Sequence, residues 1–214
     1  MDPKVRNRTT DELSVRKKEF LKICDILDEL KINYFLQTGI LLGAIRDNDF
    51  IKWDWDIEIS VLSSELLPNI DLIVEKLKDD GFRIKQINKK KEDSKIDFVG
   101  VYPEDVTGYT IWSWNYSKIR DVYWRREFSF PARFLKSFSK IEFLGRQFNC
   151  PNNPEKYLEF AYGNWKVPLR SSDKDLYNTR NYKDKKKFIW ARIKQNFLKK
   201  IYESWKFIKK HLSI

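Results

Sequence analysis

Histidine and cysteine are almost absent from this chain of 214 residues. The sequence holds one histidine, His211, and two cysteines, Cys24 and Cys150. A single histidine so far along the chain excludes His-dependent catalysis and His-rich metal sites in the body of the protein. Two cysteines cannot form a zinc ribbon or a disulfide framework. Any chemistry must therefore rely on carboxylates, on basic groups and on bound ions.

Glycine, proline and long apolar runs are scarce as well. There are 7 Gly and 7 Pro, against 42% apolar and 15% aromatic residues. A disordered or collagen-like chain would show the opposite proportions, so we expect a packed globular protein. No window approaches the ~20 apolar residues of a membrane-spanning helix, and the first twenty residues lack the apolar stretch of a secretion signal. These features predict a soluble, cytoplasmic protein.

Positive charge is concentrated in one late segment. Residues 185–210 carry ten Lys or Arg and one acid, Glu203, in a chain whose formal net charge is +11. The rest is nearly balanced, so nucleic acid is not expected as a partner of the body. Apolar residues recur every three or four positions over 185–212, which predicts a basic amphipathic helix. Such a helix suits an anionic membrane surface, and docking on the domain or on a second subunit is the equally open alternative.

The order of predicted elements indicates the fold class. A helix capped by Asp11 and running to about residue 31 is followed by a strand at 33–36 and a short helix at 40–45. The later predicted elements are a strand at 55–61, a helix from Ser63 interrupted by Pro68 and resumed over 71–80, strands at 82–87, 95–102 and 109–114, a hairpin over 141–150 turning at Leu144-Gly145, and a helix at 154–161. This order predicts an α/β (α+β) protein with a mixed sheet flanked by helices.

The same reading divides the chain into three parts. We expect a catalytic domain over residues 11–168, a polar linker over 169–184 and the basic helix over 185–214. Within the domain, Arg120, Arg125 and Arg126 lie in an aromatic-rich stretch. They are interpreted either as members of surface salt bridges or as contacts to a phosphate or a cytosine.

Two carboxylates share one face of the strand predicted at 55–61. Asp56 and Glu58 alternate with isoleucines, which places their backbones about 7 Å apart. Two such acids repel each other unless a cation that prefers oxygen ligands lies between them. Asp97 stands in a second apolar strand, and if the two strands are neighbours the three acids form a site for one or two Mg²⁺ ions. The alternative is that the acids simply occupy the solvated face of a strand.

The stretch from Gly39 to residue 59 resembles a known family. Gly39-x-Leu-Leu-Gly43-Ala-x-Arg46, followed by Phe-Ile-x-Trp-Asp-x-Asp56-Ile-Glu58-Ile, is similar to the LicD family of bacterial phosphocholine transferases and fukutin-related protein. That family belongs to the nucleotidyltransferase-fold superfamily. Ile-Asp97-Phe resembles its third-carboxylate strand, and residues 143–168, with Tyr-Gly-Asn-Trp at 162–165, resemble its C-terminal signature.

The resemblance implies a metal-dependent transferase. Such an enzyme moves an alcohol phosphate, such as phosphocholine or ribitol phosphate, from a CDP-activated donor to a hydroxyl of a sugar or polyol on a cell-surface glycan or glycolipid precursor, and releases CMP. By position, Asp56, Glu58 and Asp97 would be catalytic and would bind Mg²⁺ or Mn²⁺, and Asp97 would also orient or deprotonate the acceptor hydroxyl. The residues implied in substrate binding are Gly39, Gly43, Arg46, Asp54 and Trp55.

Three positions depart from the usual motif and keep alternatives open. Ile40 stands where a hydroxyl residue is common, Trp55 replaces an acid, and Glu58 replaces Asp. One alternative is a nucleotidyltransferase that places NMP on a small molecule. Another is a degenerate, non-catalytic binding module whose basic tail binds membrane or RNA. If the basic helix binds lipid, we expect the protein at the inner face of the membrane.

Overall fold

A computed structural model describes residues 6–100, 107–171, 173–179 and 181–182. The first helix of the protein starts earlier than predicted. Helix α1 (Thr10–Glu29) is capped by Thr9, whose hydroxyl accepts the N–H of Glu12 while the Glu12 carboxylate accepts the N–H of Thr9. The cap predicted at Asp11 is therefore wrong, because this reciprocal pair satisfies two backbone donors at once.

The remaining elements alternate between helices and strands and then become mostly strands. They are β1 (Tyr34–Phe35), α2 (Thr38–Arg46), β2 (Asp56–Leu62), α3 (Ser63–Asp79), β3 (Arg83–Asn88), β4 (Lys95–Val99), β5 (Gly108–Ser117), β6 (Val122–Arg125), β7 (Phe128–Pro131), β8 (Phe138–Phe143), β9 (Arg146–Pro151), α4 (Pro154–Tyr162) and α5 (Lys174–Tyr177). The predicted strand at 95–102 extends beyond the described residues after Gly100.

Helix α3 is continuous, so the predicted interruption at Pro68 is wrong. Pro68 lies inside the helix, and the buried residues on both sides of it, including Leu66 and Ile70, belong to one face. Proline removes one backbone donor but has a φ that suits a helix. The apolar face on both sides of the proline holds the helix together across that missing bond.

The main sheet is mixed and confirms the predicted fold class. Its strand order is β1-β2-β5-β4-β3, and β6 and β7 continue from β5 to make seven strands. Strands β2 and β5 are parallel, whereas β1 with β2, β3 with β4 and β4 with β5 are antiparallel. Helix α3 packs on β2, β4 and β5, and α1 packs on α3. A sheet flanked by helices results.

Strand β2 has one face in the core and one face outside it. Ile57, Ile59 and Val61 belong to the hydrophobic core, whereas Asp56 and Glu58 are half-buried. Since side chains alternate along a strand, both acids lie on the face away from this core. The sheet thus presents its acids together on one side.

The hairpin of β8 and β9 and the segment after α4 complete the fold. The turn at Leu144-Gly145 is confirmed, and the N–H of Leu36 bonds the carbonyl of Asn149 at 2.8 Å beside β1. Tyr182, in the segment predicted as a linker, is buried against Trp114, Phe128 and Tyr157. The end of the described part, at Thr179 and Tyr182, therefore packs on the domain, while the domain boundaries stay a prediction.

The basic helix predicted over 185–214 lies outside the described residues. Among the helices that the structure does describe, none combines the length and the apolar character needed to cross a bilayer.

Candidate functional site

A cavity of about 390 Å³ opens on the acid-bearing face of the sheet. Its walls come from α2, the loop before β2, strands β2, β5 and β7, and the segment 162–182. Asp54, Asp56 and Glu58 line one side of it. The aromatic side chains in its walls are Trp53, Trp55, Trp112, Phe128, Tyr162, Trp165, Tyr177 and Tyr182. The cavity therefore combines a carboxylate wall with an aromatic one, which suits a ligand that has a charged and a ring-shaped part.

The carboxylates are held in place by short contacts from neighbouring elements. Oε2 of Glu58 accepts the hydroxyl of Thr38 at 3.3 Å, and Oδ1 of Asp54 accepts the N–H of Trp55 at 3.1 Å. The guanidinium of Arg16, fully buried in α1, donates to the carbonyl oxygen of Asp54 at 2.9 Å. The loop that carries Asp54 is thus fixed from behind by a buried cation.

Glycine is required at the two motif positions, Gly39 and Gly43, for different structural reasons. A Cβ on Gly39 would lie 2.8 Å from Oδ2 of Asp54, so glycine lets that carboxylate approach the start of α2. A Cβ on Gly43 would lie 2.6 Å from the carbonyl oxygen of Asp49, so glycine lets α2 pack on the following loop. Gly39 lines the cavity and Gly43 does not. The structure therefore explains Gly43 by packing, and its predicted role in substrate binding stays a prediction.

Arg46 and Trp55 both line the cavity, and their predicted role in substrate binding stays a prediction. The guanidinium of Arg46 forms two 2.8 Å bonds to the carboxylate of Asp47 and lies 5.8 Å from the ring of Trp53. Two of the five N–H donors of Arg46 are therefore already used. The other three belong to a guanidinium whose orientation is fixed, and they could bond a phosphate.

Asp97 does not lie on a strand next to that of Asp56 and Glu58. The three-carboxylate site was expected only if the two strands were neighbours, and they are not. Strand β5 lies between β2 and β4, because β4 turns back antiparallel into β5 and β5 then pairs with β2. Asp97 accepts the hydroxyl of Thr110 at 2.9 Å and pairs with the ammonium of Lys95. It shares the face of Glu58 but does not line the cavity.

The carboxylates suit a cation that takes some of its ligands from the protein and the others from a substrate. Within the described ranges, no three His, Cys, Asp or Glu side chains come close enough to hold one ion. Mg²⁺ is commonly bound by one or two carboxylates, with water and substrate phosphates as its other ligands. Asp56 and Glu58 offer two such oxygen ligands from one strand face. This donor set fits a cation that arrives with phosphates, and not an all-protein cage.

Two tyrosines in the wall were missed as functional candidates. Burial raises the pKa of Tyr177, and the charges of Asp54 and Glu58 raise it further. Burial likewise raises the pKa of Tyr162. Both phenols therefore stay protonated at neutral pH and can donate hydrogen bonds. In the sequence, Tyr162 stands out only through the family resemblance of residues 162–165, and the sequence around Tyr177 gives no signal beyond one aromatic residue in a polar segment.

Trp112 is fixed in the cavity wall from two directions. Its indole N–H donates to Oγ of Ser60 at 2.7 Å, and the guanidinium carbon of Arg125 lies 4.2 Å from its ring centroid. Arg125 is only 4% exposed, and its Nη2 donates to Oδ1 of Asp93 at 2.6 Å. Burial lowers the pKa of Arg125. The surface-salt-bridge interpretation of Arg125 is therefore wrong, because this arginine is a buried support of the wall.

Comparison with protein families gives one match over more than half of the chain. The family described as LicD/FKTN/FKRP, nucleotidyltransferase domain, matches residues 31–153. The chain is also 23% identical to "Ribitol 5-phosphate transferase FKRP" of Mus musculus, over 66% of this chain and 30% of that protein. It is 25% identical to "Ribitol-5-phosphate transferase FKTN" of Homo sapiens, over 78% of this chain and 37% of that protein. The chain spans about a third of the length of these curated relatives.

Solved structures show a weaker likeness. The lincosamide antibiotic adenylyltransferase LnuA superposes with a TM-score of 0.46 at 18% identity, covering 72% of this chain and 87% of that one. The antibiotic-resistance factor ANT(2″)-Ia gives a TM-score of 0.49 at 15% identity, covering 94% and 98%. Both TM-scores are low, so only the family match is used to assign the chain to a family.

Proposed function

This chain belongs to the LicD/FKTN/FKRP nucleotidyltransferase-domain family, and we propose that it is a transferase of alcohol phosphates that uses a CDP-linked donor. The relatives matched above are named as ribitol-phosphate transferases. The observation that carries the proposal is the pairing of Asp56 and Glu58 in the wall of a cavity whose other wall is aromatic. Such a cavity suits the phosphates and the base of a nucleotide at the same time.

In the proposed reaction, an acceptor hydroxyl displaces CMP. A bond forms between the hydroxyl oxygen and the phosphorus that carries the alcohol, the bond from that phosphorus to the CMP oxygen breaks, and the hydroxyl proton passes to the carboxylate of Asp97 or to solvent water. Phosphoryl transfer asks mainly for positioning and charge stabilisation. Mg²⁺ or Mn²⁺, when bound, supplies charge neutralisation at the phosphates. Asp56 and Glu58 would hold that cation, with Asp54 beside them.

Other residues of the chain would position the two substrates. We assign to Arg46 and Tyr177 the donation of hydrogen bonds to phosphate oxygens, since both line the cavity beside the carboxylates. Trp55 and Trp112 offer faces on which the cytosine can stack. Asp97, on the same sheet face, is assigned the role of orienting or deprotonating the acceptor hydroxyl once the substrates are bound.

An assay of leaving groups tests this proposal. Full-length protein would be incubated with a panel of CDP-alcohols (CDP-ribitol, CDP-choline and CDP-glycerol), with Mg²⁺ or Mn²⁺ and an extracted glycan as acceptor. We expect CMP release that needs the acceptor, the cation and Asp56. Pyrophosphate release from a nucleoside triphosphate would instead favour the nucleotidyltransferase alternative. Absence of turnover, with no effect of either cation on CDP binding, would favour the non-catalytic module.

We also propose that the protein lies at the inner face of a membrane, where its acceptor is a glycolipid. The support is the composition of residues 185–212, where ten basic residues accompany regularly spaced apolar ones. Each basic residue near an anionic surface contributes roughly 1 kcal/mol. Co-sedimentation with anionic vesicles should retain full-length protein and leave a 1–184 truncation in solution. Equal partitioning of the two would contradict membrane attachment through this segment.

A further inference from the structure

The mouth of the cavity carries an apolar rim formed by Val167, Leu169 and Leu176. These side chains line the cavity and yet are 61%, 51% and 65% exposed. Single exposed aliphatic residues are ordinary on protein surfaces, and Leu72, Ile87 and Ile119 are of that kind. Three around one opening form a patch, and such patches mark interaction surfaces.

Basic residues flank this apolar rim. Lys166 and Arg170 bracket Val167 and Leu169 in the chain, and the ammonium of Lys166 lies 5.5 Å from the ring of Trp165. The nearby acids are Asp173 and Asp175, and the carboxylate of Asp173 accepts the N–H of Asp175 at 2.9 Å at the start of the short helix α5. Aliphatic side chains between cations are typical of surfaces that insert into anionic lipid headgroups.

The chain also leads from the cavity wall directly to its most basic segment. Tyr182 lines the cavity, and residues 185–210 follow with ten Lys or Arg against one acid. Only residues 183 and 184 stand between Tyr182 and this segment in the sequence, so a surface that binds the segment binds a part of the chain that directly follows the cavity wall. An anionic surface matches the charge of the segment, and residues 166–176 around the rim add three basic residues against two acids.

We propose that the apolar rim docks on an anionic lipid bilayer, so that the cavity opens toward the membrane surface. Val167, Leu169 and Leu176 leave water for the headgroup region, while the flanking cations meet anionic lipids. A glycolipid acceptor would then reach Asp56 and Glu58 without leaving the bilayer surface. This inference rests on the membrane attachment proposed above for residues 185–212, and the experiment separates the two.

A fluorophore on the rim tests the docking in full-length protein. Leu169→Cys provides an accessible thiol for a polarity-sensitive label, since both native cysteines are buried. Burial also raises the pKa of Cys24 to about 12 and that of Cys150 to about 11, which keeps these thiols unreactive. Leu72→Cys, on α3 away from the cavity, is the matched control. With vesicles containing phosphatidylglycerol, the label at 169 should shift to shorter wavelength and the label at 72 should not.

A pair of triple variants tests the same inference without a label. Val167→Asn, Leu169→Asn and Leu176→Asn together should lower the vesicle partition coefficient by about tenfold. The control, Leu72→Asn, Ile87→Asn and Ile119→Asn, removes three exposed aliphatic residues elsewhere and should stay within about twofold of wild type. Unchanged circular dichroism would show that both variants fold.

Three results would overturn the proposal in different ways. If the protein co-sediments while the label at 169 stays in water, residues 185–212 bind lipid alone and the rim does not dock. If the label is already shifted without vesicles, the chain itself or a second copy covers the rim. If the protein does not co-sediment, membrane attachment fails together with this inference, whereas CMP release with a soluble acceptor still tests the transferase separately.

Discussion

The hydroxyl of Thr110 donates a hydrogen bond to Oδ1 of Asp97 at 2.9 Å, and the same Thr110 pairs in register with Glu58. The three residues thus form one row across β2, β5 and β4. Two strand spacings separate the backbones of Glu58 and Asp97, which is about 10 Å. At that distance the two carboxylates would act on different parts of a bound substrate pair, Glu58 at the donor phosphates and Asp97 at the acceptor hydroxyl.

Substitution of Asp97 tests that division of roles. Asp97→Asn should lower the rate of CMP release at least ~100-fold, because loss of a group that orients or accepts a proton costs on this scale. Thermal unfolding should change little, since Asn can still accept the Thr110 hydroxyl. Lys95→Met is the control, because it removes only the ion-pair partner of Asp97. An equal loss in both variants would show that Asp97 matters only through its pairing with Lys95.

Gly39 offers a second test, because one methyl group there should displace one carboxylate. A Cβ at this position would lie 2.8 Å from Oδ2 of Asp54, the end of a flexible side chain. Gly39→Ala should therefore leave the free energy of unfolding within about 1 kcal/mol and reduce CMP release about tenfold or more. Gly108→Ala is the matched control, since its Cβ would make an ordinary 3.8 Å contact with Asp56. Equal activities of the two variants would contradict a role for Asp54 in the site.

The acid strand and the helix before it could be predicted because their signals are local. Alternation over residues 55–61 fixes which side chains share a face, and β2 confirms it. The position of β5 could not be predicted, because strand pairing depends on contacts between residues distant in the chain. The sequence places Asp97 in a strand correctly, and only the sheet order shows that Thr110 stands between it and Glu58.

The aromatic wall of the cavity was harder to predict than its acids. Residues 169–184 have a polar composition, and their burial depends on a few side chains such as Tyr182, which fills space beside Trp114 and Tyr157. Arg125 likewise gives no sequence signal of burial, since arginines are mostly exposed. Its burial follows from two long-range partners, Asp93 and Trp112.

The start of α1 carries a pH-dependent contribution to stability. The carboxylate of Glu12 accepts hydrogen bonds from the side chain of Arg6 and from the backbone N–H of Thr9. These bonds lower the pKa of Glu12 from 4.5 to about 2. The folded state therefore favours the ionised form, so Glu12 stabilises the protein above pH 4.5 and this contribution disappears as the pH falls toward 2. Glu12→Gln should lower the free energy of unfolding by about 0.5–1 kcal/mol at pH 7 and by almost nothing near pH 2.

Urea unfolding at several pH values measures this effect. Asp11→Asn makes the same charge change one residue earlier, in the same first turn, and lacks the capping contacts that Glu12 makes with Thr9. It should therefore show a smaller loss at pH 7. A pH-independent effect of Glu12→Gln would contradict the ionised capping interaction.

Cation and nucleotide binding should be coupled. Two carboxylates on one strand face leave most positions around a Mn²⁺ ion to water or phosphates. We expect CDP to tighten Mn²⁺ binding at least ~10-fold and, by reciprocity, Mn²⁺ to tighten CDP binding by the same factor. Electron paramagnetic resonance with and without CDP measures the change in Mn²⁺ affinity, and linkage gives the equal change in CDP affinity. Asp56→Asn should abolish the coupling, while Asp79→Asn, an exposed acid at the end of α3, should preserve it. Tight Mn²⁺ binding without nucleotide would contradict this reading.

The pair of the buried Arg125 and the half-buried Asp93 should be a strong interaction that supports the cavity wall. Breaking a buried ion pair on one side costs about 3–5 kcal/mol, because the remaining charge is left uncompensated. Asp93→Asn should lower the free energy of unfolding by about 3 kcal/mol, because it leaves the buried Arg125 without its charge partner. Arg125→Met should cost about 1–3 kcal/mol, because the Asp93 side chain is 19% exposed and can be hydrated. The double variant should lose at least ~1 kcal/mol less than the sum of the two. Arg126→Met removes an arginine that is 47% exposed and pairs with Glu127 at 3.5 Å. It should cost under about 1 kcal/mol. Additive losses in the double variant would show instead that Arg125 is held mainly by its stacking on Trp112, since that contact survives the removal of Asp93.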